Sequence, residues 1–84
     1  MPEYVIVEFL WNNNKIDACS YLFSSVRLII SKNKISKREF DFVIKTLSLC
    51  DLVYKTNKDN KIMKDIKKSI PLYYLILFNK TVDK

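Results

Sequence analysis

Two cysteines, nine carboxylates and a crowd of lysines are the side chains here that could do chemistry, and no histidine accompanies them. Cys19 and Cys50 both sit among apolar residues. A structural zinc ion usually takes four sulfur or nitrogen ligands, so two cysteines without histidine leave the set half empty. We read both as buried free thiols in a reducing compartment. The acids are scattered singly, with Glu39 reading as a helix cap and Asp41 as a surface charge. Without glycine there is no phosphate-cradling loop, and no nucleophile stands beside a usual general base. The residues predict no catalysis, no metal, no cofactor and no small-molecule substrate.

What remains is positive charge. Fifteen Lys and Arg against nine Asp and Glu give a formal net charge of +6 and a pI near 9.4, a balance that suits a polyanionic partner. Lysine supplies almost all of it. Many Lys, Asn, Ile and Tyr beside no Gly carry the mark of AT-rich coding, which discounts the total as an argument. Placement says more. Lys55, Lys58, Lys61, Lys64, Lys67 and Lys68 crowd one stretch, while Lys37, Arg38 and Lys45 fall on the exposed side of one predicted helix. Such lysines contact phosphates and give salt-dependent affinity. Arg38 is the single guanidinium fork there, which is thin for sequence-specific reading of guanine. The pattern favours backbone and shape recognition, as RNA receives it. Beside this stands a plainer reading of the same lysines as a solvated face. Trp11, Tyr73 and Tyr74 read first as packing or protein-contact residues, and second as platforms for stacked bases.

These side chains need elements to hold them. The length fits a single domain, 1–84, and 49% hydrophobic residues can fill a core. The longest apolar run, Leu72 to Phe78, is far too short to span a bilayer, and the Met1-Pro2-Glu3 start lacks a signal peptide's basic region. A cytoplasmic location without membrane partner is expected. Val5, Ile6, Phe9 and Leu10 predict a helix from Glu3 to Asn12, ending in Asn12-Asn13-Asn14, where asparagine tolerates the left-handed conformation. After an extended Lys15-Ile16 link, Asp17 caps a second helix bearing Ala18, Leu22, Phe23, Val26, Ile29 and Ile30 and stopping at Asn33. Ser36 and Glu39 form a capping box, with Ile35 and Phe40 as its hydrophobic staple. The third helix buries Phe40, Val43, Ile44 and Leu47 and ends near Cys50-Asp51. Leu52 to Thr56 reads as a strand, Asn57 to Lys61 as a turn, and Leu72 to Phe78, after Pro71, as a second strand. Residues 62–70 read equally as strand, helical turn or ordered loop.

Three helices followed by a two-stranded β-hairpin make an α+β, winged-helix arrangement, in which the third helix and the wing share one contact surface. The run from Ile35 to Tyr54 resembles the recognition helix and first wing strand of winged-helix proteins: a capped Ser36-Lys37-Arg38 start, a Val43-Ile44-x-x-Leu47 face, then Asp51-Leu52-Val53-Tyr54 where those proteins carry Gly-Leu-Val-Tyr. Asp is one of the few residues able to replace that glycine. Within the superfamily, Ile6-Val7-Glu8-Phe9-Leu10-Trp11 and Tyr73-Tyr74-Leu75 are similar to the opening block and second wing strand of the eukaryotic small-subunit ribosomal protein S-ten family, the plectin-type winged helix. The ribosomal protein S-twenty-five family is the second choice. Either likeness implies a structural role on small-subunit rRNA beside neighbouring ribosomal proteins. The alternatives are a DNA-binding regulator of viral or microbial type, expected to be a dimer, and a protein-docking module presenting Phe42, Leu49 and the aromatic strand.

Overall fold

Helices account for most of the chain. The computed structural model describes residues 3–83, in the order α1 (Glu3–Asn13), α2 (Lys15–Ile30), β1 (Lys34–Ser36), α3 (Lys37–Lys55), α4 (Lys61–Phe78) and β2 (Thr81–Asp83). Helices α2, α3 and α4 pack on one another and α1 lies against α2. The strands pair in parallel, with Lys34 opposite Thr81, Ile35 opposite Val82 and Ser36 opposite Asp83. The class is α+β, four helices with a small two-stranded sheet.

Asparagine makes the corners. Asn14 alone separates α1 from α2: its N–H donates to the Leu10 carbonyl, and its side-chain oxygen accepts from the amides of Ile16 (3.0 Å) and Asp17 (3.1 Å). The expected extended link at Lys15-Ile16 and cap at Asp17 are therefore corrected, because Asn14 already satisfies the donors of the first turn. Helix α2 also ends earlier than Asn33, at Ile30, where the Ser31 amide closes on Arg27. Asn60 caps α4 through the Met63 amide at 3.1 Å, and Asn79 closes it by donating to the Leu75 carbonyl at 2.8 Å. Among the described residues no backbone φ is positive. The left-handed asparagine and the glycine-like Asp51 are thus not used: Asn13 and Asp51 are both helical.

The capping box at Ser36 is present, with Ser36 Oγ accepting from the Glu39 amide (3.1 Å) and Glu39 Oε1 from the Ser36 amide (2.9 Å). Helix α3 buries Val43, Leu47, Cys50 and Val53, with Thr46 beside them. Phe40 and Ile44, expected inside, are half-buried at the core edge. The 43-47-50-53 spacing carries the helix through the predicted strand, so Leu52 to Thr56 is corrected to the last helical turn and its cap. Val53 is buried and Leu52 is 60% exposed, as one helical stripe requires.

Residues 62–70 and the second predicted strand, Leu72 to Phe78, form one helix around Pro71. The β-hairpin wing is corrected accordingly: its two segments are α3 and α4. Pro71 has no N–H for the Lys67 carbonyl, an interior defect worth about 3 kcal/mol. Met63, Ile66, Ile70 and Leu77 nevertheless hold one buried stripe across it, with Tyr73 and Tyr74 half-buried alongside. Each fully buried aliphatic side chain contributes roughly 1.5–3 kcal/mol, so packing on both sides of the proline outweighs the missing bond and the local strand preference. No helix among the described residues is long and apolar enough to cross a membrane.

Candidate nucleic-acid interface

Replacing the wing by α4 moves the basic residues. Helices α3 and α4 run antiparallel as a hairpin, Phe40 near the start of α3 meeting Phe78 at the end of α4. Lys55 closes α3, Lys58 lies in the connecting loop, and Lys61, Lys64 and Lys68 project from the first turns of α4. All five are exposed, and none has an ion pair among the described residues. Lys61, Lys64 and Lys68 stand three and four positions apart and so share one helix face. The carboxylates in the stretch are Asp59 and Asp65, both exposed. This end of the hairpin offers several exposed ammonium groups to a chain of phosphates.

Lys67, counted with them from the sequence, belongs elsewhere. It is half-buried, paired with Asp51 of α3, and its ammonium lies 5.4 Å from the Tyr54 ring centre. It fastens α4 to α3. Neither Asp51 nor its pairing was legible while residues 62–70 had no assigned geometry; with a helix there, Lys67 falls on the buried side of the lysine stripe.

Lys37 and Arg38 do not join the cluster. A helix of 19 residues rises roughly 1.5 Å per residue, which leaves them at the far end of α3 from Lys55. Lys37 is held by Asp41 at 2.9 and 3.1 Å. Arg38 is exposed at the lip of a groove of about 360 Å³ with Leu28, Ile29 and Phe42. Lys45 is exposed midway along α3. The single face expected from third helix and wing is thus two regions, and the denser is the α3–α4 turn.

The aromatic candidates lie in packing positions. Trp11 is half-buried against the core with the Lys15 ammonium 4.6 Å from its ring. Tyr73 stacks on Phe23 at 4.9 Å, and Tyr74 stacks on Phe78 at 6.1 Å with its hydroxyl 3.4 Å from Ser48 Oγ. Each of the three rings thus has a protein group against it. Among the described residues no group of His, Cys, Asp and Glu is arranged to hold a metal ion. Compared with protein-family models, curated proteins and solved structures, the chain matches none.

Proposed function

We propose that this chain is a nucleic-acid-binding helical domain that grips a phosphate backbone with the α3–α4 turn and the outer face of early α4. One observation carries the reading: Lys55, Lys58, Lys61, Lys64 and Lys68 are exposed together without carboxylate partners among the described residues. RNA is the favoured polymer, since lysine without a cluster of arginines serves backbone and shape recognition. In its most specific form, following the S-ten likeness, the domain binds small-subunit rRNA in the cytoplasm next to ribosomal proteins. The winged-helix relationship belongs to the same proposal, with the capped α3 as the recognition helix and α4 in place of the wing.

Fluorescence anisotropy with a structured RNA, a single strand and a DNA duplex over a salt series tests it. Five phosphate contacts predict a log–log salt slope of roughly −3.5 on a single strand and −4.5 on B-form DNA. A slope near zero on all three sinks nucleic-acid binding altogether. Sucrose-gradient sedimentation of native lysate then tests the ribosomal form, which fails if the chain stays free of small subunits. A second reading, protein docking, is favoured by the exposed Leu72, Leu75 and Phe78 of α4. It predicts a partner retained at high salt.

A further inference from the structure

Between α3 and α4, next to the lysine cluster, lies a groove of about 420 Å³ lined by Ser48, Asp51, Lys67, Ile70, Pro71 and Tyr74. Its charges cancel. Lys67 Nζ donates to Asp51 Oδ1, and with the two side chains 43% and 34% exposed the pair is open to a ligand. Asp51 Oδ2 has no hydrogen-bond partner among the described residues. Ser48 and Tyr74 add hydroxyls 3.4 Å apart, and Ile70 and Pro71 an apolar wall. Exposed cations border this neutral groove. Lys55 stands four positions after Asp51 on α3, Lys64 three before Lys67 on α4 and Lys68 three before Pro71, each one turn away on the helix surface. A strand whose phosphates lie on those lysines passes the mouth of the groove. The carboxylate there repels a phosphate but can accept hydrogen bonds from an uncharged base.

We propose that this groove takes one unpaired guanine of an RNA strand, an inference that rests on the phosphate grip proposed above. Lys67 Nζ, Asp51 Oδ1 and Asp51 Oδ2 stand in the order donor, acceptor, acceptor. Cytosine shows its pairing partner the same order with its exocyclic amine, N3 and O2, so the ion pair imitates the pairing edge of cytosine. Guanine answers it with the acceptor O6 and the adjacent donors N1–H and N2–H. Adenine, uracil and cytosine have no two adjacent donors on that edge. Each leaves hydrogen-bonding capacity of Asp51 unmet on entering the groove, which costs affinity. A duplex hides the edge, so the guanine that enters belongs to a single-stranded stretch, where bases are free to be read on their pairing edges.

The experiment uses the whole chain and fluorescence anisotropy with a short all-uridine strand and versions carrying guanine, adenine or cytosine at the centre. Guanine alone is expected to tighten binding, by about tenfold, as one bidentate base contact does. Two analogues test the edge without altering the protein. 7-Deazaguanine keeps the pairing edge and should bind as guanine does, whereas 1-methylguanine lacks N1–H and should bind as uridine does. Asp51→Asn, with its helical circular dichroism checked, should abolish the guanine preference and leave the salt slope on the all-uridine strand unchanged. Free guanosine monophosphate at the strand's own concentration should not displace the strand, having no run of phosphates for the lysines. Salt-sensitive binding of equal strength to every strand overturns the guanine pocket and leaves the phosphate grip standing; no binding to any strand overturns both. The pocket also falls if the guanine preference survives N1 methylation or the folded Asp51→Asn chain, or if the free nucleotide competes as an equal.

Discussion

Glu39 ties two neighbours at the start of α3, its Oε2 accepting from the Lys32 ammonium and its Oε1 from the Ser36 amide. Lys32 first, then that amide, holds its carboxyl below the usual range. Where folded and unfolded values differ, the unfolded chain binds more protons. The contribution is therefore complete above the ordinary glutamate value of about 4.3 and is lost as pH falls through the lower, folded one. Glu39→Gln is expected to flatten the acid limb of a urea-midpoint profile; an unchanged acid limb would show that Glu39 does not supply it. Ser36→Ala removes the acceptor for the Glu39 amide and should cost about 1 kcal/mol, seen as a lower urea midpoint at constant slope. Among the lysines, pairing decides which matter for binding. Lys64→Glu is expected to weaken RNA affinity and lower the salt slope by about one. Lys37→Glu, beginning from a residue already neutralised by Asp41, should move it less, and equal effects in anisotropy titrations would deny the α3–α4 turn its special role.

At the scale of elements, Pro71 is the informative defect. Pro71→Ala restores the bond to the Lys67 carbonyl and is expected to stabilise the chain by about 1–2 kcal/mol, the full helix-interior difference being reduced because proline also restricts the unfolded chain. Urea unfolding checks this, and a loss of stability would mean that α4 depends on the proline bend. The same residue explains where reading the sequence succeeded and failed. Helices α1, α2 and the start of α3 were legible because their apolar spacing repeats every three to four residues and Ser36 and Glu39 announce a boundary. Leu72 to Phe78 is β-prone in isolation, and a proline ahead of it reads as a stop. Only the continuity of Met63, Ile66, Ile70 and Leu77 across Pro71 makes it helical, and that continuity exists once α2 and α3 are there to cover it. The lysines were visible as a crowd, but their sorting into exposed Lys64 and tethered Lys67 waited on the helix. Strands of three residues, β1 and β2, carry too little pattern to announce themselves.

The whole molecule is a slab, with Cα extents of 35 × 31 × 16 Å. A body so thin gives each helix a large outward surface, which is why Leu28, Leu52 and Leu75 remain more than half exposed while Val26, Val43 and Leu47 are fully buried. Its helices meet sequence neighbours across short turns, but the sheet does not: β1 precedes the α3–α4 hairpin and β2 follows it, so their parallel pairing joins segments that the hairpin must first bring together. Contacts between distant segments carry the larger closure entropy and tend to form after local ones. Val82→Ala is therefore expected to speed unfolding while leaving the folding rate nearly unchanged in stopped-flow chevrons; slowed folding would put the sheet in the transition state instead. If the strands do join last, the sheet acts as a latch whose release rate sets how long the closed molecule survives, and a segment of three residues governs the lifetime of a fold that it hardly helps to form.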